Sequence, residues 1–287
     1  MHLPLPHSRR HRARQIPFAP EWREILRADM FHWALLDEQE RSTMEDLIRL
    51  LLVDKRWEAA RGFELTEEIK LLISAEAALL ILSLEYDYYR PVSSIIVHPT
   101  TAVIRGPKSS GIRGVVTDAP MPVLGEAIQN GPVLIAWDAA RREARHPERG
   151  HNVVYHEFAH KLDMAGGGID GTPPLPDRTL RRRWVEVCTR EYEAVRQGRS
   201  GHLLDPYAGI NPGEFFAVAT EVFFDRPMDM EHSKPDLYGV LRGFYRQDPA
   251  ARERRARSEG LLTGPSGHVR RTPRHLHPEP PHHGPST

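Results

Sequence analysis

Residues 156–160 read HEFAH, which places two histidines four positions apart with a glutamate directly after the first. On a helix, positions i and i+4 project from one face about one turn apart. His156 and His160 so placed can hold a single Zn2+ ion, and Glu157, one step round, can reach a metal-activated water without ligating the metal. Zinc lowers the pKa of such a water to about 7, so a carboxylate can take its proton at neutral pH. The chemistry on offer is hydrolysis. The bland alternative is a pair of helix histidines that face solvent or a polar pocket, and with 16 histidines in the chain the pentapeptide does not decide between them.

A catalytic zinc takes three protein ligands and keeps one position open. The segment NPGEFFAVATEVFF (211–224) offers the third on another helix. Asn211 suits the N-cap, Pro212 the first helical position, and Glu214 falls in the first turn. Glu214 is also placed to act as a capping-box glutamate that returns to Asn211. Glu221 shares its face seven residues on and is the rival ligand. Asp163 either orients a ligand imidazole or is a solvent-facing helix-end aspartate. Asp205 reads as a turn former before Pro206. His151 and His202 are near in sequence but are not read as ligands, and the tail histidines His268, His275, His277, His282 and His283 read as solvated.

These residues need elements to carry them. Residues 152–163 should be helical, with Val154, Phe158 and Leu162 recurring every four residues as a buried stripe that anchors the motif in the core. A glycine-rich loop (164–177) follows, then helices at 180–197 and 214–224 with a loop between them. Upstream, helical pattern dominates to about Leu84, including 37–57 and a deeply buried helix ending there, Leu71–Leu84, whose single charge is Glu76. Thr66 should cap that helix. SSIIVHP (93–99), TAVIRG (101–106) and GPVLIAWD (131–138) read as strands. The expected fold is therefore α+β, predominantly helical, with a small sheet beside the HEFAH helix. Residues 1–16 form a basic arm with little structure of its own and 17–90 a helical N-terminal part. Residues 91–262 form the metal-bearing core and 263–287 a disordered Pro/His-rich tail.

Composition narrows the function classes. Lys+Arg and Asp+Glu both total 39, so there is none of the net basicity expected of a protein that coats nucleic acid or an anionic membrane. The runs RRHRAR and RERRAR read as solvated helix faces. The single cysteine, Cys188, excludes an intrachain disulfide and a cysteine-rich zinc module, and fits a reducing compartment. The N-terminus lacks the apolar run of a secretory signal, and the most apolar stretch is 14 residues long, too short for a span of about 20. The expectation is a cytoplasmic protein with no membrane partner.

The stretches PFAPEWREIL, ELTEEIKLLISAEAALL, YDYY, GPVLIAWDAAR, GHNVVYHEFAHKLDMAGG, DPYAGINPGEFFAVATEVFF and LYGVLRGFYRQDP resemble the Mlc titration factor A family of bacterial zinc peptidases, which are gluzincins. With LPLPHSRRHRAR they span roughly residues 3–250. The resemblance implies a zincin-like core, one Zn2+ on His156, His160 and Glu214, and Glu157 as catalytic base. It favours Glu214 over Glu221 as ligand. It also implies a role for Tyr207, seven residues before Glu214: donating a hydrogen bond to the oxyanion of the tetrahedral intermediate. Peptide substrates follow, with a preference for aminopeptidase action on short peptides. Glu221 or Glu126 is the candidate anchor for a substrate amine. The strand at 133–137 is a candidate edge for pairing with an extended peptide. The family's founding member sequesters a transcriptional repressor, so a regulatory binding role is the alternative. Family members carry a tryptophan after GES before the GPV strand, where this chain has GEAIQNGPV.

Overall fold

In the computed structural model, which describes residues 7–60, 62–100, 131–263 and 268–269, helices surround a small parallel sheet. The chain opens with helices α1 (His7–Gln15), α2 (Pro20–Asp29) and α3 (Glu38–Asp54), followed by strand β1 (Arg56–Ala59) and helix α4 (Glu67–Leu80). Strands β2 (Ser94–His98) and β3 (Val133–Ala136) come next, and β3 runs directly into α5 (Trp137–Glu143). Helices α6 (Val153–Met164), α7 (Arg178–Arg196) and α8 (Pro212–Asp225) carry the motifs singled out above. Helices α9 (Pro227–Ser233), α10 (Pro235–Tyr245) and α11 (Pro249–Ser258) follow, and Leu262–Thr263 (β4) pairs antiparallel with His268–Val269 (β5).

Helix starts follow the capping chemistry of the sequence. Thr66 accepts from Ile69 N at 3.3 Å, Asp177 from Leu180 N at 2.8 Å, and Asp248 from Ala251 N at 2.9 Å. Asp37 and Glu40 form a reciprocal capping box at the start of α3. Each such cap is worth about 1 kcal/mol.

The sheet has the order β1-β2-β3, all parallel, with Trp57 opposite Ile95 and Ile96 opposite Leu134. β1 corrects the expectation of a helix running through 37–57: α3 stops at Asp54, Lys55 turns extended, and Trp57 belongs to a strand rather than to the helix face. The expected strand at 131–138 is shorter than its apolar run, because Trp137 already begins α5. The N-terminal segment also differs from an arm without structure. From His7 it is helical, Ala13 is buried, and Arg9 pairs with Asp54 of α3. The expected strand at 101–106, the GEAIQN variation and most of the tail lie outside the described residues.

Three helices make the centre. α4 is buried continuously from Leu71 to Leu80, α6 from Val154 to Met164, and α8 from Gly213 to Asp225. α6 packs against α8, α4 and β3. The HEFAH stripe residues Val154, Phe158 and Leu162 have no solvent exposure, and Phe158 meets Tyr89 edge-on at 4.8 Å. The side of α6 that carries His156 and His160 is therefore held by an apolar side that cannot rotate out of the core.

Candidate metal centre

Asn152 starts α6: its side chain accepts from Val154 N and Tyr155 N, both at 3.0 Å. From that start, His156 and His160 fall one turn apart on the face turned towards α8. Asn211 caps α8 in the same way, accepting from Glu214 N at 2.9 Å. Only half of the capping box forms there. The Glu214 side chain, instead of returning to Asn211, turns to the histidines, with Oε2 at 3.0 Å from His156 Nε2 and 3.6 Å from His160 Nε2.

The two Nε2 atoms are 3.3 Å apart. Three atoms at 3.0, 3.3 and 3.6 Å from one another match a tetrahedral face, whose edge is about 3.3 Å for metal bonds of about 2.0–2.1 Å. Glu214 Oε2 makes no directed hydrogen bond to either ring despite its proximity. The three atoms lie close enough together to share one small ion. His156, His160 and Glu214, all buried, are the one group of metal-ligating type that lies together in this way among the described residues.

Charge is balanced around that point. Burial opposes protonation of His156, yet the Glu214 and Glu221 carboxylates outweigh it and push the imidazole up to about 10. Burial likewise works against the Glu214 carboxylate, but His156 and His160 hold it down at about 2. Both shifts say that the pocket favours a positive charge among these atoms. Glu157 is 7% exposed, and its Oε1 has no hydrogen-bond partner among the described residues. Burial raises its pKa, against the lowering pull of His156, His160 and Lys161.

Glu221, the rival ligand, lies on the other side of His156. Its Oε1 is 2.7 Å from His156 Nδ1, and its Oε2 accepts from Asn152 N at 2.8 Å. That engagement, at 1% exposure, also removes it as an anchor for a substrate amine, and Glu126 lies outside the described residues. Asp163 fits neither expectation. It is fully buried, not solvent-facing, and its Oδ2 accepts from Gly171 N at 2.9 Å instead of holding an imidazole. It thereby fastens the glycine-rich loop to the end of α6. Gly171 has φ +74°, a Cβ there would strike the Pro212 carbonyl, and its own carbonyl accepts from Trp184 Nε1 at 3.0 Å. So one glycine joins α6, α7 and the start of α8. Sequence reasoning passed over it as loop, although a glycine two residues ahead of the Pro173–Pro174 pair was the available signal.

Tyr207 sits on a 3-10 turn (Pro206–Gly209) that Asp205 caps by accepting from Tyr207 N at 2.8 Å. Its ring centre is 6.1 Å from that of His156. His202 is exposed and outside the group.

Residues 5–246 match the glucose-regulated metallo-peptidase M90 family. The chain belongs to that family. Among similar proteins, one from Synechocystis described as uncharacterized is 35% identical over 240 residues, covering 82% of this chain and 86% of its own. The Mlc titration factor A of Edwardsiella ictaluri is 31% identical over 236 residues, 80% of this chain and 88% of its own. That of Serratia proteamaculans is 28% identical over 251 residues, 85% and 94% respectively. The M90 assignment and the buried triad describe one thing from two sides: a metallopeptidase in which a group that could hold a metal ion joins the HEFAH helix to α8. The mostly helical architecture with its small parallel sheet fits a zincin-type core.

Proposed function

We propose that this M90 protein is a zinc-dependent peptidase of the cytoplasm, with His156, His160 and Glu214 as ligands, Glu157 as general base and Tyr207 as oxyanion donor. The observation that carries the reading is the 3.0, 3.3 and 3.6 Å spacing of the three ligand atoms, which suits a small ion with one position left open. When bound, zinc polarises the scissile carbonyl and acidifies the attacking water. Glu157, with an unpartnered carboxylate oxygen, takes the water proton and passes it to the leaving amine. Tyr207 directs its hydroxyl to the carbonyl oxygen as negative charge grows there. Among the described residues β3 lies at one end of the strand order and against α6, which supports pairing of an extended peptide along that strand.

Short peptides cleaved from the amino end are the proposed substrates. Comparing free with N-acetylated peptides checks this, since equal rates on both rule out an aminopeptidase. For the reaction itself, the experiment is metal analysis with peptide hydrolysis on wild type and Glu157→Gln. We expect about one zinc per chain in both proteins, and a loss of at least 100-fold in kcat for the variant. Wild type that takes up no zinc when offered it sinks the reading.

The name of the relatives, Mlc titration factor A, favours a second role: capture of a transcriptional repressor, with peptidase activity secondary. If Glu157→Gln stops turnover and still retains a repressor in a pull-down from the native host, the two roles are separable. Nucleic acid is not a proposed partner. The arginines of RERRAR are spent inside the molecule, Arg252 and Arg255 on Glu40, Arg254 on Glu231 and Arg257 on Glu253.

A further inference from the structure

We propose that His151 is a positioning residue that ties the turn bearing Tyr207 to the start of the metal helix, an inference that rests on the peptidase reading above. Gly150 precedes it in a left-handed conformation (φ +66°), and a Cβ there would come within 3.0 Å of Arg226 Cδ and 3.7 Å of Val222 Cγ2. The chain thus passes tightly over α8 before it enters α6, and His151 is delivered between two carboxylates. Its Nδ1 is 3.8 Å from Glu221 Oε2 and its Nε2 is 3.8 Å from Asp205 Oδ2. Glu221 is the residue that holds His156 Nδ1, and Asp205 is the residue that caps the Tyr207 turn. One imidazole therefore spans the two supports of the site.

A half-exposed ion pair is ordinarily worth little, because it must order two side chains in water. Here Glu221 is already placed by His156 Nδ1 and Asn152 N, and Asp205 is partly placed by Tyr207 N, so most of the ordering falls on the imidazole and a smaller part on Asp205. The two ends are not equivalent. The Glu221 side chain is 2% exposed and keeps two hydrogen bonds without His151, whereas that of Asp205 is 27% exposed in a surface turn. The tie therefore steadies the Asp205 end, and through it the position of Tyr207 relative to His156.

The test uses the zinc-loaded full chain with His151→Ala and His151→Gln, each alone and combined with Tyr207→Phe. Zinc stoichiometry and affinity, kcat and KM on a short peptide, and amide hydrogen exchange of residues 204–210 are measured. His151→Ala is expected to lower kcat about tenfold with KM changed less than about twofold. Exchange at 204–210 rises several-fold and zinc affinity stays the same. In the Tyr207→Phe background the same change costs under about twofold, because the effect runs through the tyrosine. His151→Gln, which keeps a polar group and suits a variant that must stay folded, falls between. Additive losses, a drop in zinc affinity (the Glu221 route), or unchanged exchange at 204–210 overturns the proposal. If wild type proves inactive, or Tyr207→Phe costs nothing, the peptidase reading or the tyrosine's role fails on its own. Exchange at 204–210 then decides for or against the tie without reference to turnover.

Discussion

Glu214 and Glu221 lie two turns apart on one face of α8, both buried, yet only Glu214 reaches the Nε2 atoms of the histidines. Glu221 meets the opposite nitrogen of His156 at 2.7 Å. A carboxylate at Nδ1 draws the ring proton there and leaves the Nε2 lone pair for the metal, while making the ring a better donor of that pair. Burial works against the charge on Glu221, but His151 and His156 hold it down at about 2, which favours its ionised form. In Glu221→Gln the amide oxygen accepts more weakly from Nδ1, and zinc affinity is expected to fall about 10–100-fold, read by competition against a coloured chelator. Unchanged affinity removes Glu221 from this role. The sequence left the two glutamates as rivals for a physical reason: both sit on the same helical face. Which one meets Nε2 depends on where α8 crosses α6, and residue spacing does not carry that. HEFAH and the NPGE start of α8 were legible because both are local patterns, an i, i+4 pair and a capped helix.

At the scale of elements, the N-terminus of α6 is a junction. A helix start leaves several N–H groups without intrahelical partners. Here Val153 N goes to Glu143 Oε2 of α5 at 2.8 Å, Val154 N and Tyr155 N go to Asn152, and Asn152 N goes to Glu221 of α8. The Asn152 amide in turn donates to Glu76 of α4, which Tyr155 Oη also approaches at 3.5 Å. Glu76, the one charge in the buried Leu71–Leu80 stretch of α4, is therefore a brace for the cap rather than an exception to the pattern. Burial pushes its carboxyl up to about 8. A carboxyl that binds its proton more tightly folded than unfolded contributes stability that is full below its ordinary value. That contribution is lost as pH rises through the folded value, at up to about 1.4 kcal/mol per pH step. Glu76→Gln keeps an oxygen for Asn152 and has no proton to lose. Its stability should therefore fall less than that of wild type between pH 5 and 8 in urea unfolding, by up to one proton's worth of slope. Other groups raised in the folded protein, among them Asp163, Asp225, Glu143, Glu157 and His156, keep their own slope. Equal slopes would place the Glu76 proton elsewhere. Periodicity located α6, α7 and α8 within about two residues because their apolar stripes are long. It missed β1, whose residues Arg56–Ala59 follow α3 almost directly and are too few to show a period of two. It also missed α1, whose helix is stabilised by Asp54 and a buried Ala13 that its own sequence does not announce.

Across the whole molecule, the proposed ligands join two helices that are buried along almost their entire length, α6 and α8, with α4 packed behind them. The glycine-rich loop adds a second link between the same helices through Asp163, Gly171 and Pro212. A metal that binds this arrangement only when both helices are in place must stabilise the fold by mass action. With free zinc about 1,000-fold above its dissociation constant, the gain is about 4 kcal/mol. For a domain of about this size each kcal/mol moves the melting temperature about 2–4 °C. Chelation is therefore expected to lower the melting temperature by about 10 °C, and added zinc to restore it. Glu214→Ala should show a much smaller zinc-dependent shift, because losing one of three ligands weakens binding to the folded state and with it the mass-action gain. Glu157→Gln should show the full shift while remaining inactive, since its carboxylate belongs to the reaction and not to the joint. If metal-free and zinc-loaded wild type melt together, with removal and loading verified by metal analysis, then the three side chains do not bridge the helices through an ion.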